Sequence, residues 1–124
     1  MAARSPTIVD AMAWNHLVSL EQWEQIKLES SRKPQLVYKH STRCSISIGV
    51  KYRLEDRLDQ LSKSFEVHYL DLLNHRDVSN QIADDTRVMH ESPQVIVLEN
   101  GIATYHKSQG MISPDVLLSV GKRQ

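Results

Sequence analysis

Hydrophobic positions recur along this chain with two periods, and the alternation of those periods lays out its elements. Gln35-Leu36-Val37-Tyr38-Lys39 is a short apolar, β-branched run that predicts a buried strand. His40-Ser41-Thr42 are turn formers, and from Ser45 the period changes. Ile46, Val50, Leu54, Leu58 and Leu61 follow at three- and four-residue steps and predict one helix to about Leu61, with Lys51, Arg53, Glu55, Asp56, Arg57 and Asp59 on its solvated side. Phe65 to Leu70 alternates and predicts the next strand, so the helix is a crossover in a right-handed β–α–β unit.

The flanking segments extend this pattern. Residues 1 to about 12 show no apolar periodicity and predict a loosely held arm ahead of a single domain over 13–124. Trp14 to Val18 predicts a short edge strand; Ser19 with Gln22 forms a capping box for a helix from Leu20 to about Ser30, ended before Pro34. A short helix is expected from about Asp77 to Asp84, with Val78 and Ile82 facing the sheet and Asn74 or Asp77 as its cap. Gln94 to Glu99 and Ile102 to Lys107 flank Asn100-Gly101, the strongest short hairpin signal in the chain. Pro114 at a first helical position opens a last helix, Asp115 to about Val120. The order β-α-β-α-β-α-β-β-α predicts an α/β fold with a mixed sheet, parallel first and antiparallel afterwards.

Chemistry concentrates at the junction of the second strand and its helix. Cys44 is the only cysteine among 124 residues. It stands where unpaired N–H groups and the positive end of a helix dipole stabilise a thiolate, a setting that depresses thiol pKa values. Arg43 would act the same way with its side chain folded back, and Thr42 is the expected helix cap. Cys44-Ser45-Ile46-Ser47 has the spacing of a redox C-x-x-C motif with serine in the second place. No internal disulfide can therefore form, and the oxidised states open to Cys44 are a mixed disulfide and a sulfenic acid. Ser47 is positioned to donate a hydrogen bond to the thiolate. The alternative is an inert cysteine packed as a small hydrophobe.

Two segments, Lys39-His40-Ser41-Thr42-Arg43-Cys44-Ser45-Ile46-Ser47 and His90-Glu91-Ser92-Pro93-Gln94-Val95-Ile96-Val97, resemble the YtxJ family of thioredoxin-like proteins, the monothiol bacilliredoxins. The resemblance spans nearly the whole chain. It implies a thioredoxin-like three-layer α/β/α sandwich and a cis peptide before Pro93, with Ser92 and Pro93 facing Cys44 to position substrate. It also implies an oxidoreductase in which Cys44 takes a low-molecular-weight thiol cap, bacillithiol in this family, from S-thiolated client proteins and gives it up to a second small thiol. Such a thiol is a co-substrate, and no bound cofactor is expected. Ser45 departs from the family's usual proline after the cysteine. The rivals are the same chemistry with glutathione, coenzyme A or another thiol, and a redox-passive interaction module using the Pro93 edge. The Cys-Gly-Phe-Ser pattern of iron–sulfur monothiol glutaredoxins is absent.

Composition narrows the remaining classes. Fifteen basic and fifteen acidic residues cancel, which gives no general attraction to nucleic acid or to an anionic membrane. No stretch approaches the ~18 apolar residues of a membrane span, so a cytoplasmic location is expected, consistent with a lone thiol. Six histidines lack metal-ligand spacing and read as surface or supporting residues. His40 and His90 flank the thiol, and an imidazolium at either would lower the Cys44 pKa further. Neither a G-x-S-x-G elbow nor a glycine-rich phosphate loop occurs.

Overall fold

A computed structural model describes residues 14–122; the arm expected over 1–12 lies outside them. Five strands form one sheet in the order β1-β3-β2-β4-β5, where β1 is Asn15–His16, β2 Gln35–His40, β3 Glu66–Asp71, β4 Gln94–Glu99 and β5 Ile102–Ser108. β3 runs parallel to β1 and β2, whereas β4 is antiparallel to both β2 and β5. The helices are α1 (Leu20–Glu29), α2 (Ser45–Asp56), α3 (Leu58–Ser64), α4 (Arg76–Thr86) and α5 (Pro114–Lys122), with a 3-10 turn at Gln109–Met111.

Strand alternation sorts the core into two layers. Leu36, Tyr38, Val67, Val95 and Val97 point to one face and pack with Val50, Leu54, Leu58, Leu61, Leu117 and Val120 of α2, α3 and α5. Val37, Leu70, Ile96 and Leu98 point to the other, against Trp23 and Ile26 of α1 and Val78 and Ile82 of α4. Burial on both faces explains why β2 and β4 read as continuous apolar runs. Asn100 and Gly101 both take positive φ, 53° and 76°, as a tight hairpin of this twist requires. Ser19 and Gln22 make the full capping box of α1.

Three local expectations are corrected. The long helix is two: Arg57 leaves helical geometry at φ −115° and ψ 15°. The apolar spacing does not reveal the break because Leu54 before it and Leu58 and Leu61 after it are all buried. α4 begins earlier and ends later than its apolar pair suggested, closing on Arg87 in the left-handed region rather than on a glycine. Neither Asn74 nor Asp77 caps it from outside. Its N-cap is His75, while Asn74 is turned to Asp71 and Asp77 accepts from the N–H of Val78.

Among the histidines with no expected place at the site, His68 departs from the surface expectation, since it is buried. His68 Nε2 lies 2.7 Å from Gln35 Oε1, and burial pushes its imidazole down to about 4. The unfolded chain, with an ordinary histidine near pH 6.5, therefore binds a proton below that pH that the folded chain refuses until about pH 4. Stability is lost as pH falls through this window, by roughly 2–3 kcal/mol at pH 4.5. Urea midpoints at pH 7 and pH 4.5 check this, and His68→Gln should shrink the difference.

Candidate active site

β2 ends at His40, and the chain turns through Ser41 to Arg43 before α2 begins. Ser41 O accepts from the Cys44 N–H at 3.2 Å and Ser41 Oγ from the Arg43 N–H at 3.3 Å, so the turn is held by its own first residue. Cys44 is the N-cap of α2, in extended backbone at φ −111° and ψ 117°. Thr42, expected to cap this helix, is exposed two residues too early. A capping atom must reach the N–H groups of the second and third helical residues, and here those are Ile46 and Ser47. Cys44 makes no side-chain capping hydrogen bond, but these two N–H groups are the backbone groups that act on its sulfur.

This position sets its acidity. The backbone N–H of Ser47 does most to hold the Cys44 thiol below the ordinary range; partial burial opposes it, and the Ser47 hydroxyl and the Ile46 N–H add to the lowering. The thiol is free and partly exposed. Ser47 is itself buried, and its Oγ lies 3.4 Å from the Ser41 N–H, which joins the turn to the first turn of the helix.

Tyr38, one strand face below, completes the support. Its hydroxyl donates to Ser47 O at 2.8 Å and lies 3.0 Å from His40 Nδ1. With its one proton committed to Ser47 O, Tyr38 accepts from His40, which fixes the Nδ1–H tautomer of a neutral imidazole. Burial first, and the Lys51 charge second, hold His40 below the ordinary histidine range. His40 is thus held toward its neutral form and is a positioning residue, rather than the imidazolium that would lower the Cys44 pKa from this place. His90 is likewise held low, by burial and then by Lys39 and Arg76. Its Nδ1 is 3.4 Å from Lys39 Nζ and 3.3 Å from Ser79 Oγ.

Arg43 is corrected as well. The lowered pKa of Cys44 comes from Ser47 and Ile46, and Arg43 instead lines a polar cleft of about 270 Å³ with Thr42, Leu73, Asn74 and Arg76.

The Ser92–Pro93 peptide is cis. Lys39 pairs with Gln94 across the β2–β4 ladder, so one step further Pro93 comes level with His40, at the sheet end from which the Cys44 turn departs. Pro93 is buried and Ser92 half-buried. Lys39, which closed the apolar run in sequence, is fully buried; its ammonium donates to Ser79 O at 3.1 Å, and burial pushes it down to about 8.

Sequence reasoning missed Tyr38, Lys39, Asn74 and Arg76. A phenol and an amine at the end of an otherwise apolar strand were the available signal for the first two, since polar groups buried there need partners. Among the described residues, no group of three or more His, Cys, Asp or Glu side chains is placed to hold a metal, and no helix is long and apolar enough to cross a membrane.

Comparison with known proteins adds the family. The family model described as monothiol bacilliredoxin BrxC matches residues 15–117. A solved protein to which a thioredoxin fold and an oxidoreductase role are ascribed is 29% identical, with a TM-score of 0.76 over 93% of this chain and 97% of that one. Thioredoxin from Malassezia sympodialis superposes with a TM-score of 0.71 at 13% identity, over 89% of each chain. Thioredoxin from Trypanosoma brucei brucei gives 0.71 at 17% identity, over 99% of this chain and 94% of its own. The last two are similar in fold alone.

Proposed function

The chain belongs to the monothiol bacilliredoxin family of thioredoxin-fold, thiol-redox proteins, and from that premise we propose that it removes low-molecular-weight thiol caps from client proteins through a Cys44 mixed disulfide. The observation that carries this reading is the sulfur itself: a lone, partly exposed thiol at a helix N-terminus, its charged form stabilised by the N–H groups of Ser47 and Ile46 and by the Ser47 hydroxyl.

In the first step the Cys44 thiolate attacks the cap sulfur of a client disulfide. The client S–S bond breaks, the Cys44–cap S–S bond forms, and the client sulfur leaves as a thiolate that takes a proton from water. A second small thiolate then attacks the cap sulfur on Cys44, which restores the Cys44 thiolate and releases the symmetrical small disulfide. Client sulfur is reduced, the one incoming small thiol is oxidised, and the cap sulfur stays at the disulfide level throughout. With no second cysteine in the chain, resolution must come from outside. A moderately lowered pKa serves this cycle better than an extreme one, because nucleophilicity falls with basicity.

Ser92 and Pro93 are assigned to client positioning. Ser92 offers backbone groups at the end of β4 for strand-like pairing with an extended client segment. Ile46, 49% exposed and two residues from the sulfur, and Met89, 81% exposed ahead of the Ser92–Pro93 turn, suit a protein substrate with an apolar surface. Bacillithiol is the small thiol in this reading, after the family.

Intact mass after exposure to bacillithiol, glutathione and coenzyme A disulfides tests the proposal. One cap mass per chain, removed by the matching free thiol, is the expected result. An unmodified chain with every disulfide would refute the exchange.

A further inference from the structure

The cleft beside the thiol has a composition that the exchange chemistry alone does not require. Thr42 and Arg43, the two residues before Cys44, form one wall; Leu73, Asn74 and Arg76, from the turn after β3 and the start of α4, form the other. The two walls are tied together where Leu72 N–H donates to His40 O at 3.0 Å, so the cleft is built into the sheet end rather than left by a loose loop.

Its charge is one-sided. Neither Arg43 nor Arg76 takes part in an ion pair among the described residues. The nearest acids in sequence pair with neither arginine: Asp71 accepts from the cleft residue Asn74 through Oδ2 at 2.8 Å and has its Oδ1 buried, and Asp77 accepts the Val78 N–H through Oδ1 at 2.9 Å. Two guanidinium groups without carboxylate partners, flanked by the Thr42 hydroxyl, form a donor-rich lining, while the Asn74 amide is engaged by Asp71. Arginine forks match a planar carboxylate.

We propose that the Arg43–Arg76 cleft binds a carboxylate of the small thiol, so that the protein selects caps and reducing thiols that carry negative charge. The proposal rests on the exchange reading above and deepens it. Its consequence offsets a disadvantage of the site, since a Cys44 thiolate by itself repels an anionic disulfide. With the carboxylate held in the cleft, the adjoining sulfur is presented to Cys44, and the same contacts serve the mixed disulfide and the incoming second thiol.

Three small disulfides separate charge from reactivity: 3,3′-dithiodipropionate, its neutral diamide of nearly the same shape, and the dication cystamine. Rates of Cys44 adduct formation are read by intact mass at low ionic strength. The wild-type chain should react with the dicarboxylate several-fold faster than with the diamide, and with cystamine slowest. In the Arg43→Gln/Arg76→Gln double variant the ratio of dicarboxylate to diamide rate should fall several-fold, to about one or below, and in the wild type it should shrink as salt shortens the Debye length below ~10 Å. A ratio untouched by the double substitution, or an equal loss for all three disulfides, would overturn the cleft assignment while leaving the exchange intact. Absence of any adduct from all three would remove the exchange reading and this proposal with it.

Discussion

A Cys44→Ser variant forms no mixed disulfide and leaves a capped client to decay at its uncatalysed rate. The chain holds one sulfur nucleophile, and a serine hydroxyl at the same place stays protonated and does not attack a disulfide sulfur. Every step of the proposed cycle forms or breaks a bond at that atom, so the loss should be complete rather than partial. Client decapping followed by mass is the measurement, and retained turnover in the variant would sink the assignment.

The pH profile of the wild-type thiol is its companion measurement. Cys44 is held below the ordinary thiol range, so its alkylation rate should stay high at pH values where an ordinary cysteine has lost most of its thiolate. It should then fall as pH drops through the lowered pKa. Ser47→Ala removes the hydroxyl but keeps the backbone N–H that does most of the lowering. Its profile should therefore move upward only part of the way, with a several-fold slower rate at neutral pH. A profile identical to that of a free cysteine would show that the helix N-terminus does not act on the sulfur.

The reach of sequence reasoning here follows the distance over which a signal operates. Strand, turn and helix around Cys44 are adjacent in the chain, so their local chemistry announces them, as does Asn100-Gly101 in the hairpin. Tyr38 and Ser47 are nine residues apart and meet only because β2 and α2 pack together. His40 carries no local sign that burial will leave it neutral, and an imidazole beside a thiol suggests the opposite. Arg43 was visible as a charge next to the cysteine, but the cleft it lines takes its other wall from Leu73, Asn74 and Arg76, supplied by a turn some thirty residues later. Hydrophobic period likewise survives the break at Arg57, since it records which side chains are buried and not whether the backbone between them is continuous.

Trp23→Ala should be the most damaging substitution to stability outside the site, at about 3–5 kcal/mol. Trp23 is completely buried in the layer between the sheet and helices α1 and α4, packed in one cluster with Val37, Val78, Ile82 and Ile96. Truncation leaves a cavity that surrounding β-branched side chains cannot close without leaving their rotamers. It also removes the indole N–H that donates to Asp85 Oδ2 at 2.8 Å and so links α1 to the end of α4. The carboxylate is not stranded, because Lys27 at 2.8 Å and Gln81 at 2.9 Å still hold it. Most of the cost is therefore packing rather than an orphaned charge. The urea midpoint should fall without a change in slope, and the Cys44 alkylation profile of the folded fraction should not move, since sulfur, Ser47 and Tyr38 belong to the opposite face of the sheet. An unfolding free energy within about 1 kcal/mol of wild type would mean that α1 contributes little to the second core layer, contrary to the burial of Trp23.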